Sequence, residues 1–228
     1  MANVTVQAQF MLNTGELISM SGTLTEGTEG ELQTSTTYST AATSIGQFAN
    51  GKVLTQIVQA PSAPNGIAYA YIERRGAIIC VLPVAVQGVA GEPCPMPAAI
   101  QLQAGDTLQV LANTAANRAF AYSVITDRGV HAIFSGTPSG AGNTDLTHIL
   151  SGQSIGQSLT GQSVARHFAT SVDGSKLSSG GVLCLNDRGL PVGGCSATDP
   201  SSGQQPKLNN LGGYFVNLNF VARVTTSS

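Results

Sequence analysis

The stretch AIQLQAGDTLQVLAN (99–113) carries the clearest structural pattern in this sequence. Apolar and polar residues alternate on both sides of Gly105 and Asp106, and a period of two is typical of a half-buried β-strand. Glycine and aspartate favour a tight turn between the strands, where a carboxylate commonly accepts hydrogen bonds from backbone amides. The stretch therefore predicts two strands joined by a turn.

The same alternation recurs along most of the chain, so the sequence predicts an all-β fold. The further predicted strands span 4–10, 16–22, 52–59, 67–73, 77–87, 119–127, 130–136, 166–172, 181–186 and 214–224. Their inward-facing side chains are expected to include Ile79, Val81, Leu102, Leu108, Val110, Val124, Ile133, Phe215 and Phe220. A short helix is predicted at 145–151, with Thr144 as its N-cap, and glycines at short intervals oppose its continuation.

About ten to twelve closely spaced strands are typical of a sandwich or barrel. We expect a jelly-roll-like antiparallel β-sandwich with at most one or two short helices. No composition shift marks a boundary, so we expect a single domain over 1–228, with an extended N-terminal strand and long loops. The predicted loops span 23–30, 60–66, 88–97, 136–142 and 197–206.

The polar residues are unusual because so few of them are charged. Charged residues make up 10% of the chain, against about 25% in ordinary soluble domains. Ser, Thr, Asn and Gln together number 71. Such a neutral surface can be buried against neighbouring molecules at little desolvation cost, which favours assembly. The alternative is an extracellular monomer with a hydroxyl-rich surface.

The charge pattern does not favour nucleic acid as a partner. The net charge is −2, and the ten Lys and Arg are scattered, whereas phosphate binding needs clustered cations. The adjacent pair Arg74 and Arg75 precedes Gly76 and is typical of a solvated hairpin turn. No signal peptide and no apolar run long enough for a membrane span is present in the sequence. We therefore expect synthesis in the cytosol, without a signal peptide.

The four cysteines do not have the spacing of a metal site. No Cys-x-x-Cys pair occurs, and His131, His148 and His167 lie on separate segments, so we expect no metal and no cofactor. Cys184 and Cys195 flank a turn-rich loop and can form a disulfide if the loop folds back. Synthesis in the cytosol favours free thiols instead.

Two short stretches resemble catalytic motifs. GQSIG (152–156) fits the Gly-x-Ser-x-Gly nucleophile elbow around Ser154, but no histidine follows an acidic residue after it, as the elbow requires. GQFANGKV (46–53) resembles a phosphate-binding loop around Lys52, yet Val53 stands where Ser or Thr should hold Mg²⁺. We therefore expect no catalytic residues and no enzymatic activity.

The turn at 99–113 and its flanking strands resemble the single jelly-roll domains of viral capsid, cement and decoration proteins. Its Leu-x-x-Gly-Asp-x-Leu pattern also occurs in trimeric sandwiches of the tumour-necrosis-factor type and in cupin barrels, although this chain lacks the histidine cluster of metal-binding cupins. The resemblance implies a structural virion protein, either a capsid or a capsid-decorating subunit. It carries over no functional residue.

The partners implied are copies of this chain, as a homo-oligomer and specifically a trimer, and other virion proteins. The predicted contacts involve the N-terminal strand and the loops at 88–97 and 197–206. An extracellular adhesin, filament or receptor-binding module is the alternative, and a receptor-binding or tail protein of a virion is a third class.

Overall fold

A computed structural model describes residues 2–34, 41–85, 91–114, 119–170, 177–198 and 213–227. The chain divides into two compact units, Met1–Thr114 and Ala115–Ser228. We call the first the sheet unit and the second the barrel unit. No composition shift marks this division, and the single domain over 1–228 stays a prediction.

Among its described residues, the sheet unit contains eight strands and one short helix, α1 (Ile45–Phe48). The strands are β1 (Asn3–Leu12), β2 (Leu17–Thr25), β3 (Glu29–Thr34), β4 (Val53–Ser62), β5 (Ile67–Arg74), β6 (Ala77–Leu82), β7 (Cys94–Gln101) and β8 (Thr107–Ala112). They are hydrogen-bonded in the order β6-β5-β8-β3-β2-β1-β4-β7, with every pairing antiparallel. β7 lies at one edge of the sheet, a position that tolerates prolines because they have no backbone N–H to donate to a neighbouring strand.

The alternation in β1 becomes one-sided burial. Every second residue from Val4 to Leu12 is buried, and the residues between them are more exposed. Side chains of a strand point to opposite faces in turn, so the apolar set enters the core together. β2 pairs with β1 through an unbroken register from Asn3–Thr25 to Met11–Leu17.

The turn predicted at Gly105-Asp106 is present, but it does not join two paired strands. β7 pairs with β4, whereas β8 pairs with β3 and β5. The Asp106 carboxylate accepts a hydrogen bond from the Gln103 backbone N–H at 2.9 Å, as the sequence suggests. It also accepts two hydrogen bonds from Arg74. Arg74 is therefore an ion-pair partner of a buried carboxylate, and the prediction of a solvated Arg74 was wrong.

In the part of the barrel unit that the structure describes, there are seven strands and one short helix, α2 (Ile155–Leu159). The strands are β9 (Phe120–Thr126), β10 (His131–Gly136), β11 (Gly142–His148), β12 (Val164–Thr170), β13 (Leu177–Leu185), β14 (Pro191–Thr198) and β15 (Val221–Thr226). They close in the order β10-β11-β15-β13-β14-β12-β9. The β12–β14 pair is parallel, and the other pairs are antiparallel.

The predicted helix at 145–151 was wrong. β11 occupies 142–148, because Asn143–Leu146 pair with β15. The helix of this region begins after Ser154, whose hydroxyl accepts from the Gln157 N–H while the Gln157 side chain accepts from the Ser154 N–H. This reciprocal capping box fixes the helix start.

The predicted strand at 214–224 was correct only in its last four residues, since β15 begins at Val221. Phe215 forms an isolated bridge with Ser163, and its side chain is 61% exposed, so the prediction that it points inward was wrong. Its neighbours Tyr214 and Val216 belong to the barrel core, and a period of two then turns Phe215 outward.

Most other predicted inward residues are buried. Ile79 and Phe220 pack against the cores from half-buried positions. The fully buried ones are Val81, Leu102, Leu108, Val110, Val124 and Ile133.

All five predicted loops contain strand residues at their ends, which belong to β2, β3, β4, β7, β10, β11 and β14. The predicted contact loops at 88–97 and 197–206 fall partly outside the described residues. The predicted fold class is confirmed: the described residues form an all-β structure, with almost entirely antiparallel sandwich-like and barrel-like sheets and two short helices.

Candidate functional site

The interior of the barrel unit holds a chain of hydrogen-bonded polar side chains. The Tyr122 hydroxyl lies 2.6 Å from His167 Nδ1 and 2.8 Å from the Tyr214 hydroxyl. His167 on β12 pairs with Val124 of β9 and Ala169 pairs with Tyr122, so His167 and Tyr122 lie two register positions apart on the same, inward face. Burial lowers the pKa of His167, so the neutral ring accepts a hydrogen bond through one nitrogen. The network is neutral and satisfied, as a buried polar network must be.

Cys184 and Cys195 border this network from β13 and β14. All four cysteines of the chain are free thiols. Cys184 lies opposite Gly193 and Cys195 opposite Val182, so the two proposed disulfide partners are diagonal rather than facing. Burial raises the pKa of Cys184 to about 11 and that of Cys195 to about 12. Both thiols are therefore protonated at neutral pH and unsuited to nucleophilic attack.

Gly193 makes room for the Tyr214 ring beside these thiols. A Cβ on Gly193 would lie 2.0 Å from the nearest Tyr214 ring carbon, so no larger residue fits without moving the ring. The close approach seats Tyr214 between the two cysteine-bearing strands. From this position the Tyr214 hydroxyl forms a hydrogen bond with the Tyr122 hydroxyl. Tyr214 also forms a side-chain hydrogen bond with Cys184.

The two motif-like stretches have structural roles. Ser154 caps helix α2, and its hydroxyl is engaged by the Gln157 N–H. Lys52 forms an ion pair with Glu16 at the start of β4. Gly51 has φ of 79°, which closes the turn after α1.

The three histidines are dispersed on separate strands of the barrel unit. His131 begins β10, His148 ends β11 and His167 lies within β12. Burial lowers the pKa of His131 to about 4, with Arg166 nearby adding to the shift. Across the described ranges, no group of three or more His, Cys, Asp or Glu is arranged to hold a metal ion.

The polypeptide loops at one end of the barrel form the most distinctive surface of the unit. β9, β11 and β13 end there, and β10, β12, β14 and β15 begin there, as their registers require. We call this surface the loop end. It comprises the turns 126–130 and 186–190, the loop 149–154, helix α2, the loop 160–163 and the segment 213–220.

Large apolar side chains are exposed at the loop end. Gly156 packs directly on the carbonyls of Asn217 and Leu218, which fixes α2 against this segment. The exposed residues are Val130, Leu150, Leu190, Phe215 and Leu218. Scattered exposed apolar residues are normal, whereas their concentration on one surface marks an interaction site.

The turns 126–130 and 186–190 have the same construction. Their sequences are TDRGV and NDRGL. In each, the first residue donates its N–H to the carbonyl of the fifth, at 2.9 and 3.0 Å, and its side-chain oxygen accepts from the N–H of the fifth. Gly129 and Gly189 both have φ of 72°, a left-handed conformation that glycine adopts without strain. The two turns are therefore rigid and equivalent.

Each turn presents an aspartate and an arginine side by side. Asp127 accepts from the Ser163 N–H at 2.9 Å, and Arg128 donates to the Gly161 carbonyl at 3.0 Å. In the second turn, the exposed side chains of Asp187 and Arg188 have no hydrogen-bond or ion-pair partner among the described residues. The second turn therefore offers one negative and one positive group to the solvent.

A repeated sequence motif, which is not among the motifs singled out above, marks two turns of this surface. Asp-Arg-Gly followed by an apolar residue occurs at 127–130 and again at 187–190. Each copy follows a predicted strand, so the repetition of a charged turn was visible. Sequence alone does not place the two copies at one barrel end, because that depends on strand order.

Comparisons with known proteins do not identify this chain: no family model, no curated protein and no solved structure matches it. In the part of the chain that the structure describes, no helix has the length and apolar character of a membrane span.

Proposed function

We propose that this protein is a non-enzymatic structural subunit of a virus particle, either a capsid or a capsid-decorating protein, that acts by symmetric self-association. The observation that carries the proposal is the loop end, where five large apolar side chains are exposed. Such a surface is costly in a monomer and useful in an assembly.

The composition supports the same proposal. With 10% charged residues, a contact between copies strands few ions away from water. The jelly-roll-like fold suits a shell subunit, and closed symmetry is the usual outcome of repeated identical contacts. We propose a trimer as the assembled form.

The chemistry of the polar groups supports a role without catalysis. The thiols of Cys184 and Cys195 have raised pKa values, and the hydroxyl of Ser154 is engaged as a helix cap. Substituting Ser154 or Lys52 with Ala is therefore expected to change only local packing. Esterase activity lost in Ser154→Ala, or nucleotide binding lost in Lys52→Ala, would contradict the proposal.

The decisive experiment measures assembly of the full chain. Sedimentation velocity and native mass spectrometry at micromolar concentration are expected to show a defined oligomer, with a trimer as the specific expectation. Mass spectrometry of purified particles and of a secreted fraction then locates the chain. A stable monomer found in the secreted fraction would overturn the proposal in favour of an extracellular binding module.

A further inference from the structure

We infer that the loop end is the contact surface between copies of this chain, with Asp187 of one copy facing Arg188 of a neighbouring copy. This inference rests on the proposed self-association and names the surface that performs it. It is carried by three observations: the exposed apolar residues, the rigidity of the turns and the arrangement of their charges.

The first observation concerns the apolar side chains. Leu190 follows the Asp-Arg-Gly of its turn and is 57% exposed. Val130 occupies the equivalent position of the other turn and is also exposed. Each turn thus combines one charged pair with one apolar side chain, which is the composition of an apolar contact centre with a polar rim.

The second observation is that the turns are already ordered. Thr126 and Asn186 are the first residues of their turns, and each is bound to the fifth residue through backbone and side-chain hydrogen bonds. A loop held in one conformation loses little entropy when it binds. The turns can therefore dock without first folding.

The third observation identifies the occupant. The two turns together carry two aspartates, Asp127 and Asp187, and two arginines, Arg128 and Arg188, so their charges cancel. Nucleic acid and anionic membranes both need an excess of Lys and Arg. Adjacent charges of opposite sign are instead complementary to the same pair on other copies of this chain, and in a trimer one neighbour supplies the arginine and the other neighbour the aspartate.

The second turn is assigned the ionic contact because its charges are unused. Asp127 and Arg128 are held by the 161–163 loop of their own chain. Asp187 and Arg188 lack such contacts within the described residues. Charge reversal at 187 or 188 therefore tests the contact without removing a bond that stabilises the fold.

The experiment uses three full-length variants: Asp187→Arg, Arg188→Asp and the double exchange of both residues. Each single variant places like charges in the contact, so we expect association about tenfold weaker or more in sedimentation velocity. In a trimer that mixes the two single variants, two of the three contacts regain opposite charges, so native mass spectrometry of an equimolar mixture should detect mixed trimers. The double exchange should associate like the unmodified protein.

A matched control carries the same charge change elsewhere. Arg75 is an exposed turn residue of the sheet unit, and Arg75→Asp should leave association unchanged. Circular dichroism and the thermal midpoint should match the unmodified protein for every variant, because none of the substituted side chains is buried.

An apolar pair of variants gives a second readout. Leu190→Ser should weaken association, whereas Leu17→Ser should not, although Leu17 in the sheet unit is 55% exposed and so equally accessible. Equal effects of the two substitutions would show that general loss of apolar surface, and not the loop end, governs assembly.

The outcomes separate this inference from the proposed function. If the unmodified protein forms oligomers and the single variants associate equally well, assembly uses another surface and the inference is overturned while the proposed function stands. Single variants that dissociate but do not recover on mixing would overturn the ionic pairing. A monomeric unmodified protein would overturn both.

Discussion

Each unit contains an arginine–aspartate ion pair, but the carboxylate is buried in one unit and exposed to solvent in the other. In the sheet unit, Arg74 bonds both carboxylate oxygens of Asp106, at 2.7 Å each, and the Asp106 side chain is fully buried. In the barrel unit, Arg223 bonds both oxygens of Asp145 between β15 and β11, and the Asp145 side chain is 48% exposed. The geometry is alike, and the access of water differs.

The difference teaches where each unit places its polar groups. The sheet unit buries an ionised carboxylate at a turn and satisfies it with a guanidinium and a backbone N–H. The barrel unit leaves its ion pair in solvent and buries neutral hydroxyl, imidazole and thiol groups instead. A buried charge tolerates no missing partner, whereas a neutral group tolerates an imperfect one at lower cost.

The largest expected effect comes from breaking the buried pair. Arg74→Leu leaves the Asp106 carboxylate without its cation, and we expect a loss of about 3–5 kcal/mol in the free energy of unfolding. Arg223→Leu is the matched control, and its loss should stay within about 1 kcal/mol. Urea unfolding measures both. Equal losses would show that burial does not distinguish the two pairs.

The next effect tests the close approach inside the barrel. Gly193→Ala forces a methyl group into the Tyr214 ring, where the Cβ would lie 2.0 Å from a ring carbon. We expect a loss of about 2–3 kcal/mol and a lower thermal midpoint. Gly140→Ala meets open space and should be neutral. An unchanged midpoint for Gly193→Ala would mean that Tyr214 does not occupy this position.

A smaller effect compares tyrosine hydroxyls in the two units. Tyr122→Phe removes the middle of the barrel network and leaves His167 and Tyr214 short of a partner, at about 1–3 kcal/mol. Tyr71→Phe in the sheet unit removes one of two hydroxyls that donate to Glu29, and Tyr69 remains. Because Glu29 is exposed, water replaces the lost donor, and the cost should stay below about 1 kcal/mol. Chemical unfolding that ranks the two variants in the reverse order would contradict this assignment.

The smallest expected effect is a pH dependence that originates in the barrel unit. The pKa of His131 is lowered to about 4, chiefly by burial, so the unfolded chain binds its proton first as pH falls through about 6.5. The contribution of His131 to the free energy of unfolding is therefore complete above about pH 6.5 and declines as the pH falls towards 4. From pH 7 to 5.5 we expect a loss of about 1 kcal/mol.

The variant His131→Asn isolates this contribution. Its free energy of unfolding should change less between pH 7 and 5.5 than that of the unmodified protein, whatever its stability at pH 7. Denaturant titrations at the two pH values measure the difference. Parallel pH profiles for the two proteins would assign the acid sensitivity to other groups, such as His148 or His167, whose pKa values burial also lowers.

Local pattern located most strands because alternation is a property of short segments. β1, β5, β8 and β9 lie within two residues of their predicted ends. β7 and β14 begin or end in Pro- and Gly-rich sequence, which indicated loops, and only pairing with neighbouring strands makes them extended. The same reason explains β11, where five residues pair with β15 across almost eighty positions of chain.

The candidate site was less accessible to prediction. The cysteines were singled out, but Tyr122, His167 and Tyr214 come from segments far apart in sequence, so no local spacing indicates their network. The repeated Asp-Arg-Gly turns were visible as a motif. Their meeting at the loop end depends on strand directions throughout the barrel.

The sequence by itself determined the all-β class, the neutral surface and the turn at Gly105-Asp106, because each follows from side-chain type or from a period of two. Only the tertiary structure decided the division into two units, the closure of the barrel and the outward position of Phe215. The physical reason is that strand pairing is non-local. Which strands meet depends on the free energy of the whole packed unit, and a single segment carries no record of its partner.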